Sequence, residues 1–128
     1  MKRLTKAEED IMQIIWQLER CTVSDIRDFI QKEVGGEKPP HSTISTIVRI
    51  LEEKGFLDHK AYGRTYEYFP TVSKSDYSQK TLKKFVTDYF EGSMNQLVSF
   101  LVKEEKIDMN ELSKLLQDFE DKKTKDHD

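Results

Sequence analysis

The sequence predicts a mainly α protein: an N-terminal winged helix-turn-helix of three helices plus a β-hairpin wing, followed by a three-helix C-terminal dimerisation region. Three observations point there. Capped or glycine-stopped amphipathic segments occur three times before residue 56, two strand-favouring runs flank Gly63, and beyond Pro70 only helical apolar stripes remain. The order helix, helix, helix, hairpin is that of a winged helix, in which the second and third helices form the helix-turn-helix.

The first helix opens at Thr5, where Thr5 and Glu8 have the spacing of a capping box that satisfies amide hydrogens at a helix start. Ala7, Ile11, Ile14, Ile15 and Leu18 then recur at helical steps and mark its buried stripe. A second cap, Thr22 with Asp25, opens VSDIRDFIQKEV, whose stripe is Val23, Ile26, Phe29 and Ile30 and whose stop is Gly35-Gly36. After Pro39-Pro40 a third helix is predicted from about Ser42 to Lys54, stopped by Gly55. FLDHKA and RTYEYFP read as two short strands with a turn at Tyr62-Gly63; Thr65, Tyr66, Tyr68 and Phe69 favour extended structure.

The domain boundary is expected at residues 72 and 73. From 73 to 128 three stripes follow: Leu82, Phe85, Val86, Tyr89 and Phe90; then Met94, Leu97, Val98 and Leu101; then Leu112, Leu115, Leu116 and Phe119, the last behind an Asp108/Glu111 capping box. Short helices cannot enclose so many large apolar side chains alone, and 128 residues make one ordinary core or two small ones. A symmetric homodimer, the commonest oligomer, is the expected remedy. The charged tail DKKTKDHD lies beyond it.

Composition narrows the function classes. The chain is 36% hydrophobic and 35% charged, against roughly 25% charged in an average domain. It holds no apolar run of membrane-spanning length and no signal-peptide core, so a cytoplasmic protein without membrane insertion is expected. Cys21, the single cysteine, permits no internal disulfide and reads as a small, partly buried apolar residue. His41, His59 and His127 form no metal-ligand motif, and neither a phosphate loop nor a nucleophile motif is present. No cofactor, metal or catalytic residue is therefore expected.

What remains is a surface. At 100° per residue Ile44, Ile47, Val48 and Leu51 gather on the buried face of the third helix, which turns Ser42, Ser45, Thr46, Arg49 and Glu53 outward with Thr43 on the flank. Small hydroxyls permit close approach to a major groove, bond base edges or phosphates, and bring threonine methyls to thymine methyls. Arg49 has the reach for the backbone or a guanine, and Lys60 and Arg64 belong to the wing. From Lys38 to Arg64 five basic residues face three acidic ones, a local +2 in a chain of net charge -3, so charge is segregated by position. Double-stranded DNA is the expected partner. A winged-helix protein-interaction module, using Tyr66 and Tyr68, and a ligand-sensing regulator are the competing readings.

The stretches LTKAEEDIMQIIW, TVSDI and STISTIVRILEEKGFLDHKAYGRTYEYFP, with the helical tail behind them, resemble the BlaI/MecI family of penicillinase and methicillin-resistance repressors over almost the whole chain. The family's T-I-x-T-x-x-x-R-L pattern has its arginine one position earlier here, at Arg49. The resemblance implies a homodimeric repressor of β-lactam-resistance-type genes on a palindromic operator. Base reading falls on Ser42, Thr43, Ser45 and Thr46, and the wing's phosphate contact on Arg64. It also implies relief through a membrane sensor metalloprotease and cleavage at an Asn-Phe bond, whose position here is Phe100-Leu101, without the asparagine. The copper-sensing branch uses a cysteine-rich tail, which this chain does not have.

Overall fold

The computed structural model describes residues 1–105 together with Asn110, Lys114 and Gln117. The predicted third C-terminal helix, with Leu112, Leu115, Leu116 and Phe119 and its Asp108/Glu111 cap, lies outside the described residues. The chain divides into two compact units, Met1–Lys74 and Ser75–Asp128.

Helix α1 spans Lys6–Leu18. Thr5 Oγ accepts the Glu8 amide hydrogen at 3.2 Å, and Glu8 Oε1 accepts that of Thr5 at 3.0 Å, so the capping box is closed in both directions. The buried face differs from the expected stripe. Ile11 and Ile15 are buried as expected, but Ala7 is exposed, Ile14 and Leu18 are only partly covered, and Glu8 and Met12 are buried with the isoleucines. Glu8 can occupy the interior because its carboxylate is paired: Lys54 Nζ, at the far end of the third helix, donates to Oε1 at 2.5 Å and to the Arg3 carbonyl at 3.0 Å.

Helix α2, Val23–Val34, begins at a second reciprocal box between Thr22 and Asp25 and ends at Gly35 with φ 86°. Arg27 Nε donates to the Pro39 carbonyl at 2.8 Å and Lys38 pairs with Asp28 at 2.6 Å, fixing the approach to the next helix. Helix α3, His41–Glu53, starts one residue earlier than predicted. It ends in a Schellman turn: Gly55, at φ 85°, donates to the Glu52 carbonyl at 3.0 Å, and Phe56 to that of Leu51 at 3.0 Å. Leu51 and Phe56, the two positions that usually make a hydrophobic contact across this turn, are both fully buried. With Met12, Ile15, Ile26 and Val48 they form the centre of the three-helix core.

Strands β1, Leu57–Tyr62, and β2, Thr65–Pro70, pair antiparallel from Leu57↔Pro70 to Tyr62↔Thr65. The turn is therefore Gly63-Arg64 and not Tyr62-Gly63, and Arg64 leaves the strand for the tip. Positive φ at Gly63 (64°) alone of the two turn residues is the sign pattern of a type II′ turn, which matches the twist of the flanking strands. A bare two-stranded ribbon is marginal. This one is anchored by buried Leu57 and Tyr68 and by a bridge that the sequence reading did not foresee: Cys21 and Tyr68 exchange backbone hydrogen bonds of 3.0 and 2.7 Å. Trp16 Nε1 donates to the Val72 carbonyl at 2.8 Å and secures the chain after β2.

In the second unit, α4 spans Lys74–Phe90 and α5 Met94–Glu105. The break between them carries positive φ at Glu91 and Gly92, and Ser93 Oγ accepts the Gln96 amide hydrogen at 3.2 Å as the cap of α5. Val86 and Leu97 are buried, and Leu82, Phe90 and Leu101 partly so. Phe85, Tyr89 and Phe100 remain 44, 73 and 49% exposed although their rings belong to one aromatic row: Phe85–Tyr89 centroids stand 5.0 Å apart, Phe85–Phe90 5.8 Å and Phe90–Phe100 5.5 Å. No helix among the described residues is long and apolar enough to cross a membrane.

Candidate nucleic-acid interface

The buried stripe Ile44, Val48 and Leu51, with Ile47 partly covered, sets the rotation of α3. Ser42, Thr43, Thr46 and Arg49 are accordingly exposed; Ser45 is half-buried rather than fully outward. Thr46 Oγ donates to the Ser42 carbonyl at 2.8 Å. Its hydroxyl hydrogen is thus engaged by the helix, leaving the oxygen as an acceptor and the methyl as an apolar contact. Arg49 Nη2 donates to Ser45 Oγ at 3.0 Å, which lays the guanidinium along the helix toward its N-terminus. The start of α3 has no side-chain cap, because Pro40 occupies the cap position, and no acid in its first turn. Such an end attracts anionic groups through its amide hydrogens and dipole.

The wing brings two further predicted residues. Arg64 stands exposed in the Gly63-Arg64 tip, and Lys60 extends along β1 with Nζ 5.4 Å from the Tyr62 ring centroid. The positive balance read from the sequence is redistributed. Lys54 is turned inward to Glu8 and Lys38 is paired with Asp28, so Arg49, Lys60 and Arg64 carry the positive charge of the outer surface in this segment.

The sequence reading missed the link between α3 and the wing. His59 on β1 hydrogen-bonds Glu52 on α3 through Nδ1 and Oε1. The imidazole stacks on Tyr66 at 4.2 Å with 15° between planes, a diagonal cross-strand contact, and lies 5.7 Å from Tyr68. Burial, then the nearby Glu52 charge, push the Tyr68 phenol above its usual range. The one cue in the sequence was period two: His59, Tyr66 and Tyr68 share a face once the hairpin register is known.

Three helices with a two-stranded wing behind the third define a winged helix-turn-helix protein. A profile described as penicillinase repressor matches residues 4–121, and the chain belongs to that family. It is similar to the methicillin resistance regulatory protein MecI of Staphylococcus aureus strain N315, 30% identical over 112 residues, 88% of this chain and 89% of that protein. It is also similar to the penicillinase repressor of Bacillus licheniformis, 25% identical over 124 residues, 96% of this chain and 94% of the relative. The solution structure of the DNA binding domain of the repressor BlaI aligns at 29% identity and TM-score 0.49, covering 60% of this chain and 94% of that one. The chain is a transcriptional repressor and not an enzyme.

Proposed function

We propose that the chain represses transcription as a homodimer bound to a palindromic operator, with residues 1–72 contacting double-stranded DNA and 73–128 joining the subunits. The observation that carries the reading is the acid-free outer face of the first two turns of α3, uncapped at its start and flanked by a wing with Arg64 at its tip. In this proposal α3 enters the major groove. Ser42, Thr43, Ser45 and Thr46 read base edges, Arg49 reaches a guanine or the backbone, and Lys60 and Arg64 contact phosphates. Half-buried Ser45 reads less than its neighbours. Protein-partner surfaces favour large apolar or acidic groups, which this face does not present.

The dimer is supported by the exposed aromatic row on α4 and α5, where Phe85, Tyr89 and Phe100 leave large apolar surface uncovered within one chain. The target genes are of the β-lactam-resistance type that the relatives' names describe. Relief through a membrane sensor metalloprotease fits a cut at Phe100-Leu101, a bond inside α5, so that cleavage requires unwinding of that helix and removes part of the dimer surface. Fluorescence anisotropy with a labelled duplex from upstream of the chain's own gene tests the reading. Tight, salt-sensitive binding to the palindrome and weaker binding to its scrambled counterpart are expected; equal affinity for the two overturns specific repression.

A further inference from the structure

Among the described residues, Glu52, Asp58 and His59 bring one donor atom each to within 4.8 Å of one another. Sequence spacing concealed this cluster, because Glu52 comes from the last turn of α3 and the other two from β1. Two donors at about 2.1 Å from a tetrahedral ion stand about 3.4 Å apart, so side-chain movements of about an ångström, which part the His59–Glu52 contact and draw Asp58 in, suit the set to one ion. The side chains have that freedom: Asp58 is exposed, and the side chains of Glu52 and His59 are about a third exposed, 32 and 28%.

The surroundings already orient the donors. Asp58 Oδ1 accepts the His59 amide hydrogen at 2.7 Å, which folds its carboxylate back along the strand toward the imidazole. Stacking on Tyr66 fixes the plane of the ring, and the hydrogen bond to Glu52 directs Nδ1 at the carboxylate. Of the charged groups nearby, Arg49 is engaged by Ser45, to whose Oγ its guanidinium donates. The two carboxylates of Glu52 and Asp58 place negative charge at the joint between recognition helix and wing, which a divalent cation bound there balances.

We propose that Glu52, Asp58 and His59 form a binding site for a first-row divalent transition-metal ion that pins the wing to the C-terminal turn of α3. One imidazole with two carboxylates suits zinc, manganese, iron(II) or cobalt, whereas magnesium and calcium prefer all-oxygen shells. Three protein donors leave the remaining coordination to water. The ion fixes the angle between helix and wing and removes negative charge beside the proposed DNA surface. The effect on DNA rests on the proposed function; the site itself does not.

The test uses the full-length chain stripped with chelator and titrated with Co²⁺ alone, followed by its visible absorption. One equivalent per chain with saturable nitrogen-and-oxygen-ligand bands, displaced by Zn²⁺, is expected. His59→Gln weakens binding about tenfold or more, as does Asp58→Asn, which leaves the His59–Glu52 contact intact and guards against a folding defect in the first variant. His127→Gln, in the charged tail, leaves it unchanged. Absence of binding, an unaltered isotherm in both His59→Gln and Asp58→Asn, or loss in His127→Gln overturns the site. With DNA, saturating Zn²⁺ raises operator affinity several-fold in the wild type and not in Asp58→Asn. An equal effect in both overturns the coupling, and a duplex bound in neither state overturns the DNA reading while the cobalt spectrum still decides the site.

Discussion

Replacing Glu8 tests the least expected feature of the core. Its carboxylate accepts from the Thr5 amide at 3.0 Å and from Lys54 at 2.5 Å, with the Glu8 side chain 8% exposed and that of Lys54 23%. Glu8→Gln keeps an oxygen for the Thr5 amide and removes the charge. Since hydrogen bonds to charged groups contribute about 1.5–3 kcal/mol and neutral ones about 1, the expected cost is about 1–2 kcal/mol. Glu8→Ala also opens the capping box, worth about 1 kcal/mol. Breaking a buried pair costs about 3–5 kcal/mol when the other charge is stranded, but Lys54 can turn to water, so the total for alanine should be about 3 kcal/mol. The pH dependence has a definite sign. The Lys54 hydrogen bond, then the Thr5 amide, hold the Glu8 pKa below the usual carboxylate range. A folded pKa below the unfolded one gives stability that is present above the unfolded value and lost as pH falls through the folded one. Urea unfolding followed by Trp16 fluorescence, at one protein concentration, should show the gap between wild type and Glu8→Gln narrowing below the ordinary carboxylate range. Equal stability at neutral pH, or a gap that stays constant as pH falls, refutes the reasoning.

Arg64→Ala should weaken binding to operator and random duplex alike and flatten the slope of log K against log salt by about 0.9, the signature of one lost phosphate contact; anisotropy across a salt series reads both. Thr46→Ala removes the methyl and the acceptor oxygen, and should erase about 1–3 kcal/mol of discrimination at one operator position with little change in non-specific affinity, measured with single-base variants of the duplex. Tyr89→Glu places a charge on the aromatic row of α4 and should raise the dimer dissociation constant with helicity retained, as sedimentation equilibrium and circular dichroism will show. The Cys21 thiol is 1% exposed and pushed up to about 12, with burial the main cause, so a thiol reagent at neutral pH should modify it only at the rate of unfolding.

Much of the first unit is legible in the sequence because its signals are local. Thr5 with Glu8 and Thr22 with Asp25 close the capping boxes their spacing announces, and Gly35 and Gly55 stop helices by adopting positive φ. Distant partners are another matter. Glu8 reads as a solvated charge until α3 ends beside it and delivers Lys54 from 46 residues away. Cys21 joins β2 through a single bridge, too short to leave any strand pattern. The wing turn is displaced by one residue because Tyr62 prefers extended backbone and a type II′ turn wants glycine first. On α3, four outward positions follow from periodicity alone; the half-burial of Ser45 and the inward hydroxyl of Thr46 depend on side-chain bonds no period encodes. The Glu52–His59 link needs both the helix end and the strand register at once.

The inward turn of Lys54 has a consequence for occupancy in the cell. Lys54 is given to Glu8 and Lys38 to Asp28, so on the proposed reading a lone subunit keeps few positive groups for phosphates and would hold bulk DNA loosely. On the proposed reading, residence at the operator then depends on two subunits holding together. Where paired subunits are scarce, occupancy then varies with the square of free-subunit concentration, so a twofold fall in subunit level lowers repression about fourfold.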